Sequence, residues 1–275
     1  MTDATAQNFP ATPADDHGLL ARALAVATFA IGMAYLEAAV MLYLQRALSI
    51  TPAALFPLRD LGSLGGLAQI ELGRELATLV MLAAVGWLAG RTPLERLAWS
   101  AVAFGVWDIG YYGWLWRFSG WPPSPGTWDL LFLVPVPWVG PVWAPVAVSA
   151  ALIGFGLAAA RRLRAGWRLG VGRATAACTL AGGALVVLSF TWDAAPILAG
   201  GTPRPFPWPL FVAGMTLAMW GAAGALRWPS GRPVRDGRNP AGARRNGTAV
   251  RARPVRVAAG KVIDTRKEPA TWPTR

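Results

Sequence analysis

The chain has 275 residues, a mean hydropathy of +0.39, 54% hydrophobic residues and only 15% charged residues. A soluble domain carries about 25% charge, so the composition argues against a water-soluble protein and for a membrane protein. The formal charge of +12 does not point to nucleic acid, because 13 basic and 3 acidic residues fall between Arg227 and Arg275, leaving only +2 for everything before them.

A helix needs roughly 20 mostly apolar residues to cross a bilayer. Six segments meet that length, near 20–45, 67–90, 97–117, 137–160, 174–198 and 208–227. The expected fold is therefore all-α: a polytopic six-transmembrane-helix bundle over residues 19–228, preceded by a polar segment, 1–18. The first span is not read as a signal peptide, because it is too long, follows Asp15 and Asp16, and contains Glu37. The tail, 229–275, is rich in Arg, Pro and Gly without apolar periodicity, and is expected to be disordered. Its expected partners are membrane lipids, specifically anionic headgroups.

Arginines set the expected orientation. Arg161, Arg162, Arg164, Arg168 and Arg173 cluster after the fourth span, and Arg91 and Arg96 lie after the second. Placing both turns and the basic tail in the cytoplasm gives an inner-membrane, multi-pass protein with cytoplasmic N- and C-termini. The Arg-heavy, Lys-poor composition is associated with bacterial GC-rich genomes. The turns at 46–66, 118–136 and 199–207 then face outward.

The outward Pro-rich segment has two readings. Pro122, Pro123 and Pro125 stop any helix. Thr127 could cap a half-helix dipping into the membrane, with Asp129 in its first turn. Alternatively, an amphipathic surface helix precedes a fourth span kinked by Pro135, Pro137, Pro141 and Pro145. Trp121, Trp128, Trp138 and Trp143 suit an interfacial aromatic belt.

Acidic residues carry the functional signal. With a rise of 1.5 Å per residue, Asp108 lies roughly 18 Å from Arg96, Glu37 roughly 22 Å from Arg22 and Glu75 roughly 24 Å from Arg91. Glu71 and Asp193 lie at about 30 Å, measured from Arg91 and Arg173, and Asp129 sits on the outer turn. All belong to the outward half. A carboxylate near the bilayer centre costs a few kcal/mol, about 3 on lenient scales, and usually faces the protein interior and a partner. One outward cavity lined by these acids is the expectation.

Local spacing adds detail. Glu71 and Glu75 share a helix face, and Arg74 is placed to neutralise Glu71. Tyr111 and Tyr112 follow Asp108, and a tyrosine hydroxyl can donate to a carboxylate. The expected substrate- or ion-binding residues are thus Glu37, Glu71, Arg74, Glu75, Asp108, Tyr111, Tyr112, Asp129 and Asp193. Plainer roles stand beside this. Glu71 and Asp129 would suit a helix first turn, Asp193 could reach the interface, and Glu37, Glu75 and Asp108 could simply fix helix packing.

Several chemistries are not expected. A retinal Schiff base needs a lysine within a span, and both lysines, Lys261 and Lys267, lie in the tail. Haem and zinc sites of the His or Cys kind fail because His17 and Cys178 are the sole residues of their types. A hard divalent cation on Glu37, Glu75 and Asp108 remains compatible with the oxygen ligands. Three function classes follow. The first is a protein binding or transporting a cation, proton or small solute. The second is a membrane-embedded enzyme using carboxylates, with or without a divalent metal, on a lipid or lipid-linked substrate. The third is a non-catalytic membrane subunit.

Overall fold

The computed structural model describes residues 16–47, 56 and 66–227. The N-terminal segment up to residue 15, nearly all of the turn at 46–66 and the basic tail from 229 lie outside the described residues.

Helix α1 spans Asp16–Ala47, α2 Leu67–Ala89 and α3 Pro93–Ser119; after a β-hairpin come α4 Trp143–Arg164, α5 Arg173–Thr191, the short α6 Ala194–Leu198, and α7 Trp208–Arg227. The segments His17–Ala47, Gln69–Ala89, Trp143–Arg164, Arg173–Leu198 and Trp208–Arg227 are long and apolar enough to cross a membrane. Helices α1 and α5 show no single apolar face, their apolar residues being spread around the helix as in a lipid-embedded one. The chain is mostly helical, and these five helices mark it as a multi-pass membrane protein. Helix α3 is as long, but Glu95, Arg96, Asp108 and Arg117 make it less apolar. It packs against α1, α2 and α4.

Helix α3 starts at Pro93, ahead of the expected 97, and its capping residues account for the start. Thr92 caps it by accepting the Glu95 N–H, Pro93 occupies the first turn, and the Glu95 carboxylate accepts the Arg91 N–H at 2.9 Å. Gly120 ends it at φ 71°, in the left-handed region that favours glycine.

The Pro-rich segment corrects the sequence reading. Residues Trp128–Phe132 form strand β1 and Trp138–Pro141 form strand β2, paired antiparallel with Trp128 opposite Pro141 and Phe132 opposite Trp138. Neither a half-helix nor a surface helix forms there, and α4 begins at Trp143 rather than at 137. Pro135 and Pro137 bar a continuous helix, while the apolar run around them suits strands packed on both faces. Thr127 instead accepts the Ser124 N–H in the preceding turn. Phe132 packs against Phe104 and Trp107 of α3, and Trp138 stacks on Phe190 of α5. The hairpin thus reaches down into the bundle between α3 and α5. Trp121 and Trp138 are absorbed into this packing rather than standing in a surface belt, whereas Trp143 is exposed.

Contacts at the opposite end fix the helix order. Arg22 donates to the Ala89 carbonyl at 2.6 Å, Arg164 pairs with Glu95 at 2.8 Å, and the Gly170 N–H donates to Ala225 at 2.8 Å. The start of α1, the end of α2, the start of α3, the end of α4, the start of α5 and the end of α7 therefore share one end, here the arginine end. The hairpin marks the other. Glu95 is buried and clamps α3 to α4, more than the plain first-turn acid its position suggests.

Helices α5 and α7 pack at close range. A Cβ on Gly182 would lie 2.3 Å from the Ala218 nitrogen, and one on Gly214 would lie 2.8 Å from the Val186 nitrogen. Only glycine permits that approach.

Candidate acidic site at the hairpin end

Arg74 is the hub. Its guanidinium forms ion pairs with Glu37 of α1 and, one turn back on α2, with Glu71; its Nε donates to Glu71 at 2.9 Å. Thr78, one turn further along α2, donates to the other Glu37 oxygen at 3.2 Å. The i, i+3 and i, i+4 spacings of Glu71, Arg74, Glu75 and Thr78 put them on one side of α2. The anticipated Glu71–Arg74 pair is present. Glu71 lies beyond the first turn of α2, so a macrodipole role does not account for it.

Glu75 turns toward the hairpin tip. Its two oxygens accept the Leu133 N–H at 3.1 and 2.9 Å, and the Val134 N–H also reaches it. Non-helical backbone at membrane depth persists only where its polar groups find partners inside the protein. Glu75 supplies such a partner. Its side chain is buried.

Asp108 of α3 accepts the Ser149 hydroxyl of α4 at 2.8 Å, with both residues buried. Tyr112 donates to Asp129 at 2.9 Å, so the tyrosine that follows Asp108 serves the hairpin acid instead. Asp129 also accepts the Leu130 N–H at 2.9 Å. Asp129 is a strand residue, which removes the helix-first-turn explanation for it. Burial pushes its carboxyl up to about 7, against the Tyr112 and Leu130 donors that favour the ionised form; the nearby Asp108 charge pushes it further up.

Tyr111 lies among these groups, within electrostatic reach of Asp129, Arg74, Glu71 and Asp108. Glu37, Glu71, Arg74, Glu75, Asp108, Tyr111, Tyr112 and Asp129 are thereby linked through α1, α2, α3 and the hairpin. Asp193 forms its own pair. Buried at the α5–α6 junction, it accepts the Arg204 backbone N–H at 2.7 Å and the Arg204 guanidinium at 2.6 and 2.8 Å. Ser189, one turn earlier, donates to the Val186 carbonyl.

Ser149 and the Leu133 and Val134 amides had no place in the sequence reading. Ser149 carried a signal that could have found it, since it is the one polar side chain between Ala144 and Ala160. The Leu133 and Val134 amides carried no signal, because backbone donors exist at every non-proline residue. Among the described residues no three His, Cys, Asp or Glu side chains converge closely enough to hold a metal ion. The ligand set Glu37, Glu75 and Asp108 is therefore not assembled: each faces a different partner.

Chemically, the cluster is rich in carboxyl groups and poor in counter-charge. Of five acids, Glu37 and Glu71 pair with the Arg74 guanidinium and Glu75 feels its charge, while Asp108 and Asp129 have hydroxyl and amide donors. Comparison with protein-family models, curated proteins and solved structures returns no match.

Proposed function

We propose that the protein is a six-span plasma-membrane protein of a bacterial cell, with the arginine end cytoplasmic, whose outward-facing acidic cluster binds protons or a small cation within the membrane. The arginine clusters support the orientation, and the packing of α3 against three spanning helices supports a sixth crossing.

One observation carries the site. If all five acids were ionised, Arg74 would offset one of five negative charges. Asp108 and Asp129 have only hydroxyl and amide donors beside them. Uncompensated charge at such depth costs several kcal/mol. Protons, alone or with a monovalent cation, make up the difference. The separation of the acids into different partners favours protons over one multidentate ion.

The test is infrared titration of the purified protein in lipid. Protonated carboxyl bands should be present near neutral pH, and Asp108→Asn and Asp129→Asn, the two acids with no cation beside them, should each remove part of them. Fully ionised carboxyls without bound cation across that range would end the reading. Reconstituted vesicles with an entrapped pH dye then ask whether the protons cross.

A second reading is favoured by the completeness of the pairing. Each of the six acids near the hairpin end has a donor from its own or a neighbouring element. In that case the acids clamp a non-catalytic membrane subunit. Vesicles would then show no proton flux, and the same substitutions would lower stability alone.

A further inference from the structure

A groove of about 460 Å³ opens beside the hairpin tip, lined by Leu72, Gly73 and Leu76 of α2, residues 133–137 of the tip, and Leu198 of α6. Every lining side chain is aliphatic or absent. Leu72, Leu76 and Leu198 are exposed, so the mouth faces away from the bundle. Leu72 to Leu76 lie inside the segment Gln69–Ala89 that is apolar enough to cross the membrane. The groove therefore opens sideways, toward lipid.

The tip has two chemically different sides. Leu133 and Val134 turn their N–H groups to Glu75, on the acidic side. Pro135 and Pro137 have no N–H. The surface left to the groove is thus nearly free of donors, and water would find too few polar partners to stay there. The volume falls within the ~300–1,000 Å³ of small-ligand pockets, and a flexible aliphatic chain matches an aliphatic lining without aromatic platforms.

We infer that this groove binds one acyl chain of a membrane phospholipid, held between α2 and the hairpin tip in the leaflet on the hairpin side. The chain seals the outer flank of the tip whose inner flank caps Glu75. The site does not depend on whether the acids carry protons.

Gly73 gives the handle for a test, because a Cβ there meets nothing within 4 Å. The protein is placed in nanodiscs containing phosphatidylcholine with a photoactivatable acyl chain, and labelled peptides are mapped. Peptides covering 72–76 and 133–137 should label more heavily than the exposed Met219–Trp220 face of α7, which reports general lipid contact. Gly73→Phe should abolish the excess while leaving α7 labelling intact. Leu76→Trp should do the same, should the first variant fail to fold. Equal labelling at both places, or an excess that survives both variants, would overturn the site. So would chain-to-chain crosslinks from a photoactivatable leucine at position 76, which would seat a second copy there instead.

Discussion

The Glu75 carboxylate on α2 receives the Leu133 N–H of the hairpin tip at 3.1 and 2.9 Å, 58 residues away in sequence. This contact joins a helix to a non-helical insertion, and it answers a backbone requirement rather than a side-chain one. Leaving a buried donor unsatisfied costs about 1–3 kcal/mol. Glu75→Ala should therefore speed amide exchange at Leu133 and Val134 by about tenfold or more, since 1.4 kcal/mol is a factor of ten. Glu75→Gln keeps one acceptor oxygen and should fall between. Exchange in the alanine variant equal to wild type would mean that aromatic packing alone holds the hairpin.

Arg74 should be the most costly single residue of the cluster. Arg74→Ala leaves Glu37 and Glu71 facing each other without their cation; breaking a fully buried pair costs about 3–5 kcal/mol, and this half-buried one should cost somewhat less. Arg74→Lys keeps the charge but not the planar fork that reaches two acids, and should recover only part of that. The double variant Glu37→Gln with Arg74→Gln should be more stable than the two single losses added together, by about 0.5–3 kcal/mol. Unfolding in detergent measures each variant, and simple additivity would show that the pair has no coupling.

Spans were largely readable because length and apolarity alone define them. The expected 67–90 and 208–227 meet helices at Leu67–Ala89 and Trp208–Arg227. The hairpin was not readable, since a short apolar run interrupted by prolines fits a broken helix and a buried strand equally well. Depth along each span gave an expected level for each acid but no partner; hydrogen bonds link Glu37 to α2, Glu75 to the hairpin and Asp108 to α4. Their partners depend on how each helix is rotated against the next. That rotation is set by contacts such as Gly86 on Ser100 and Gly105 on Ser149, which a single sequence does not show.

The α5–α7 contact makes a sharp comparison between adjacent glycines. A Cβ at Gly182 would lie 2.3 Å from the Ala218 nitrogen, whereas one at Gly183 meets nothing within 4 Å. Gly182→Ala must push the helices apart, and overpacking of this kind costs about 1–3 kcal/mol. Gly183→Ala should be neutral or stabilising, because alanine is the better helix former by about 1 kcal/mol. Thermal unfolding of the two variants in the same detergent decides it; equal effects would mean that the close approach is absent in solution.

Asp129 should give the hairpin a measurable pH dependence. Burial holds its carboxyl at about 7, above the ordinary value of 3.8. The folded chain therefore keeps a proton that the unfolded chain releases. Its contribution favours the folded state at low pH and is lost as pH rises from about 4 through about 7. Wild type should unfold at a lower temperature at about pH 8 than at about pH 5, and Asp129→Asn should flatten that part of the profile. Tyr112→Phe removes a donor that favours the ionised carboxylate, so it should move the decline to higher pH. Matching profiles for wild type and Asp129→Asn would show that the proton resides elsewhere in the cluster.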